Sequence, residues 1–146
     1  MTDTSIHTPT STDRPGGLRR GALLALRALG ALTLLACVVQ IVFAGLGAYG
    51  ASFDAHRMLG GTIGALTLVM LILVLVARPS WAAVGITVIL VLLATAGQTI
   101  LANLGDDTDA WFGGIHALNG LVIMGLLSRL AFGTQFASSR ANEVSG

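Results

Sequence analysis

The sequence predicts an all-α fold, an integral membrane, up-down-up-down four-helix bundle built from two repeated helical hairpins. Three observations carry that reading. The first is composition: of 146 residues, 54% are hydrophobic and 10% are charged, with a mean hydropathy of +0.83, whereas soluble domains carry roughly 25% charged residues. The second is four apolar runs, each of the roughly 20 residues needed to span a hydrocarbon core about 30 Å thick. The third is a partial match between the two halves of the chain.

The length allows about one domain. The 19 Gly and 3 Pro are scattered through apolar runs without a three-residue period, which excludes collagen-like and low-complexity classes. A formal charge of +1 with scattered arginines lacks the basic face that nucleic acid requires, so the partner expected of this surface is the lipid bilayer. The single cysteine makes no internal disulfide and says nothing of redox compartment.

Taken in order, residues 1–17 are rich in Thr, Ser, Asp, Pro and Gly and are expected to form a disordered cytoplasmic tail. The membrane domain should occupy 18–134, with spans at about 28–49, 55–77, 81–104 and 111–132, each apolar on all faces. A second disordered cytoplasmic tail is expected over 135–146. The connections are so short that consecutive helices must be antiparallel neighbours. Two processing signals are rejected. Arg19-Arg20 ahead of an apolar run resembles a secretion signal, and Leu34-Leu35-Ala36-Cys37 a lipoprotein cleavage box. A signal-peptide core is about 7–15 residues long, and this run continues well past Cys37.

Orientation follows from arginine placement, since cytoplasmic flanks collect positive charge. Arg14, Arg19, Arg20, Arg27, Arg78, Arg129 and Arg140 fall on the side shared by the termini and the middle loop; only Arg57 falls on the other. The expectation is a multi-pass protein of the cell membrane with both termini cytoplasmic and Asp106-Asp107-Thr108-Asp109 facing outward. Trp81 and Trp111 start helices, where interfacial aromatics belong.

The halves match through their rarest residues. Gln40-Ile41-Val42-Phe43-Ala44-Gly45-Leu46-Gly47 aligns with Gln98-Thr99-Ile100-Leu101-Ala102-Asn103-Leu104-Gly105, and His56-Arg57-Met58-Leu59-Gly60 with His116-Ala117-Leu118-Asn119-Gly120. The chain has only three His and three Gln, and two of each fall in register. A repeat of this kind relates the halves by a pseudo-two-fold along the membrane normal. It would set His56 and His116 at equal depth near the outer ends of the second and fourth helices, where diagonal helices can aim both imidazoles at the bundle axis.

Two opposed imidazoles meet the axial requirement of a haem iron, and bundles build such sites from facing helices. Gly60 and Gly120 each follow a histidine by one turn on the same face, a smooth strip along which a porphyrin could approach. Arg57 could pair with a propionate. Other readings stay open: the histidines as structural or interfacial residues, another small ligand, or a proton-linked role. Gly60 and Gly64 also form a pair of small residues that marks close helix packing. Gln40 and Gln98 are read as bonding across the bundle, with contact to a cofactor edge or a quinone oxygen as alternatives; Asn119 is read likewise. Cys37, Met58, Met70 and Met124 are packing residues, and His7 in the tail carries no signal.

The pattern Gln-x-x-x-Ala-x-Leu-Gly, a short loop, Asp54-Ala55-His56-Arg57-Met58-Leu59-Gly60 and the later His116-Ala117-Leu118-Asn119-Gly120 resembles a family of small, uncharacterised four-span bacterial membrane proteins over about residues 25–135. It is also similar to one half of the haem A synthase family, whose four-helix halves place paired histidines at the outer ends of their second and fourth helices around a haem. The resemblance implies His56 and His116 as ligands. That family has two such halves and a glutamate ahead of a ligand histidine. This chain has one half and no glutamate in any predicted helix, Asp54 being the nearest acid. Haem A synthesis is therefore not expected, and no acid–base, nucleophilic or phosphate-cradling constellation is present. The primary expectation is a haem b protein that transfers electrons to a membrane redox partner. The runner-up is a cofactor-free bundle serving as a structural or partner subunit.

Overall fold

The computed structural model describes residues 16–133; most of both predicted tails, with His7, Arg14 and Arg140, lies outside the described residues. Four helices follow one another: α1 (Gly17–Ala48, 32 residues), α2 (Asp54–Ala77, 24 residues), α3 (Trp81–Asp107, 27 residues) and α4 (Ala110–Phe132, 23 residues). All four are long and apolar enough to cross a membrane, and the chain is a multi-pass membrane protein.

The first helix runs from Gly17, ahead of the apolar span expected from about residue 28. Leu18-Arg19-Arg20-Gly21-Ala22-Leu23-Leu24-Ala25-Leu26 is dominated by strong helix formers, and Ala22 and Leu26 are buried, so packing as well as propensity extends the helix. At about 1.5 Å per residue α1 runs to about 48 Å.

The turns have local causes. Gly50 takes φ +95° after α1, and Phe53 folds back so closely on Gly47 that a Cβ there would lie 2.6 Å from its ring. Ser80 caps α3 by accepting from the Ala83 amide at 3.1 Å, and Asp109 caps α4 by accepting from the Trp111 amide at 2.8 Å. Side-chain oxygens satisfy helix-start donors that would otherwise lack partners.

α1 packs against α2 and α4, and α3 packs against the same two, so α2 and α4 face each other across the axis. Leu26, Met70, Val74, Leu90, Ile123, Leu127 and Leu130 form the interior. Thr33, Thr67 and Thr87 are fully buried among them, and each hydroxyl donates to a carbonyl of its own helix, Leu29, Gly64 and Ala83 respectively. That disposes of the only polar group each brings into an apolar interior. Of the residues read as packing from the sequence, Cys37 and Met70 are buried, whereas Met58 is exposed.

α3 contains a π turn at Leu93–Gly97, which accommodates one extra residue in a helix. Its effect is visible in register. The buried pairs Leu26/Ala83, Gly30/Thr87, Thr33/Leu90 and Cys37/Ala94 stand 57 residues apart; beyond the turn, Gln40 and Gln98 stand 58 apart. Asn119 of α4 donates to the Leu93 carbonyl at 3.1 Å, and Gly64 of α2 admits the Ala94 carbonyl, which would lie 3.4 Å from a Cβ at that position.

Candidate functional site

Near the ends of α2 and α4 that adjoin the Ser52 and Asp109 turns, the His56 and His116 rings meet across the bundle axis. Their centroids are 6.1 Å apart and their planes are inclined by 52°. Both rings are half-buried, and Phe53 stands edge-on to His56 at 6.0 Å.

Each ring is held by the neighbouring antiparallel helix. His56 Nδ1 lies 3.2 Å from the main-chain oxygen of Gln40, and His116 Nδ1 lies 3.1 Å from that of Gln98. A carbonyl oxygen only accepts, so Nδ1 carries the proton and, in the neutral ring, Nε2 keeps its lone pair. The glutamine side chains return the contact: Gln40 Nε2 donates to the His56 carbonyl at 2.7 Å, and Gln98 Nε2 to the His116 carbonyl at 3.5 Å. The second bond is at the limit of useful length. With the nitrogen of each amide committed to a carbonyl, Oε1 is left over, and both Gln40 Oε1 and Gln98 Oε1 are buried without a partner.

Gly60 and Gly120 make room for these amides. A Cβ at Gly60 would lie 3.1 Å from Gln40 Nε2, and one at Gly120 3.6 Å from Gln98 Nε2. The strip beneath each histidine is therefore covered by an amide, where the sequence suggested bare backbone. Arg57 sits at the surface, with Asp106 at 3.8 Å and both side chains more than two-thirds exposed. Such a pair is worth little and exchanges readily.

The chemistry available is that of two neighbouring imidazoles, each with an Nε2 lone pair not used by the Nδ1 contact. A metal bound here would be held by the Nε2 atoms of His56 and His116, whose rings the fold brings together. Among the described residues no group of three or more His, Cys, Asp or Glu that could hold a metal ion converges, so the protein ligands this site could offer are His56 and His116. The direct Gln–His exchange was not anticipated from sequence, although its signal is there: the spacing from Gln to His is 16 residues in one hairpin and 18 in the other.

A family model described as a family of unknown function (DUF6220) matches residues 40–105, from Gln40 through the end of α3 and short of His116. No curated protein matches the chain. No solved structure matches it either.

Proposed function

We propose that the chain holds a b-type haem between His56 and His116 and passes electrons to a membrane redox partner. The observation that carries this reading is the pair of imidazoles facing each other at 6.1 Å, each with Nδ1 committed to a carbonyl and Nε2 left to donate. Fixing the far nitrogen of a ligand histidine by a carbonyl sets its tautomer and ring orientation and raises its basicity. A bound haem would supply one-electron chemistry. The protein's contribution is to hold both rings in the ligating tautomer and surround them with apolar helix. Arg57, beside His56 and only weakly held by Asp106, would serve as counterion to a propionate.

The recurrence of the Gln–His exchange in both hairpins, with the one-residue offset taken up at the π turn, supports reading the hairpins as copies of one unit. The clustering of Arg19, Arg20, Arg27, Arg78 and Arg129 at the opposite end supports a cell-membrane protein with that end, and both termini, in the cytoplasm.

A second reading has its own observation. The amides already cover Gly60 and Gly120, as expected of a cofactor-free bundle acting as a structural or partner subunit. The experiment separates the two. Protein made in haem-replete cells should be red, with a low-spin, six-coordinate spectrum, and His56→Ala and His116→Ala should each convert the iron to a five-coordinate or lost state. Colourless protein, or a spectrum indifferent to both changes, would establish the cofactor-free reading instead.

A further inference from the structure

At the arginine-rich end, far from the histidines, a groove of about 510 Å³ is lined by Arg19, Ile72, Leu75, Val76 and Arg78. Arg19, in the first turns of α1, reaches across to the end of α2: its Nε donates to the Ala77 carbonyl at 3.2 Å and its Nη2 to the Arg78 carbonyl at 3.3 Å. Arg78 donates from Nε to the Leu75 carbonyl at 3.3 Å. Each guanidinium has five N–H donors, so these contacts draw both heads to the end of α2 and leave most of their donors unused. Neither has a carboxylate partner among the described residues. Below them, Ile72, Leu75 and Val76 form an outward-facing apolar wall, 62%, 49% and 40% exposed.

The backbone gives a second indication. Arg78 sits at φ 43°, ψ 54° and is the one non-glycine residue at positive φ among the described residues. Glycine adopts that conformation without cost, whereas an arginine there is strained; strain of this kind gathers where a side chain has a task.

We infer that this groove binds an anionic phospholipid, its phosphate between Arg19 and Arg78 and an acyl chain along Ile72, Leu75 and Val76. Two guanidiniums without carboxylate partners among the described residues supply charge-assisted, bidentate contacts to phosphate oxygens. The wall supplies the apolar surface a lipid tail covers, and basic recesses between helix ends are the usual form of such sites. A mere helix stop would use the same two arginines to satisfy the last carbonyls of α2, with no preference among lipids. That difference is measurable.

The test is lipid retention by the purified full chain in mixed micelles, comparing phosphatidylglycerol with phosphatidylcholine by native mass spectrometry. The parent should retain phosphatidylglycerol preferentially. Arg78→Gly removes the guanidinium while relieving the positive φ, so the fold should survive and the preference should fall about tenfold. Arg19→Gln should act in the same direction. Arg20→Gln removes the same charge one residue outside the groove and should leave the preference unchanged. Excess inorganic phosphate should not displace the lipid, because the apolar wall contributes; full displacement would mean a phosphate site rather than a lipid site. Equal retention of the two lipids by the parent, or an Arg78→Gly protein that keeps the preference, would overturn the assignment.

Discussion

The two glutamines make the same contact at different quality, and that difference predicts an unequal response to the same substitution. Replacing Gln40 or Gln98 by Met keeps the length and most of the volume while removing the amide. Each change deletes one hydrogen bond and also one buried, unpartnered Oε1. The cost of that stranded oxygen is common to both sites and cancels in the comparison. What remains is the Nε2 bond, 2.7 Å at Gln40 and 3.5 Å at Gln98. A good neutral bond contributes about 0.5–1.5 kcal/mol net, and side-chain bonds between membrane helices average about 0.6 kcal/mol, whereas one at 3.5 Å contributes almost nothing. Gln40→Met should therefore be less stable than Gln98→Met by about 0.6–1.5 kcal/mol. Gln98→Met itself should be neutral or slightly stabilising. Reversible unfolding of both variants by SDS titration in mixed micelles measures the difference. Equal losses, or a larger loss at Gln98, would refute the inference that bond length ranks the two contacts.

Three further outcomes follow from the packing and the charge distribution. At Gly105 an added Cβ would lie 2.9 Å from the Gly113 amide nitrogen, backbone against backbone, so Gly105→Ala should cost about 1–3 kcal/mol by the same titration; Gly114→Ala, with nothing near its Cβ, should be neutral or stabilise by up to about 1 kcal/mol. Asn119→Ala deletes the bond to the Leu93 carbonyl; a loss of about 1 kcal/mol or more is expected, and unchanged stability would show that the π turn stands without that brace. Reporter fusions should place the Arg78 turn in the cytoplasm and Thr108 outside, and a reporter active outside when fused after Arg78 would reverse the proposed orientation.

Composition and run length determined the class of this protein. Four stretches of about 20 apolar residues admit no other way of satisfying their backbone amides in lipid than four helices, and turns of a few residues leave those helices only an antiparallel order. The pairing of the histidines was legible because His and Gln are rare in this composition, so their recurrence stood out where recurring Ala, Leu and Gly could not. The full length of α1 exceeds the apolar span that hydropathy marks, because Ala22 and Leu26 ahead of Arg27 are buried by tertiary packing. The π turn was not legible, since one surplus residue in an apolar helix has no local signature; the structure places it where Asn119 meets the Leu93 carbonyl and Gly64 admits the Ala94 carbonyl. Only the fold decided that the space over Gly60 and Gly120 belongs to the amides of Gln40 and Gln98, because which side chain fills a glycine's gap depends on the helix opposite. The same holds for Arg19 and Arg78, 59 residues apart in the chain and brought together only by the contact of α1 with α2.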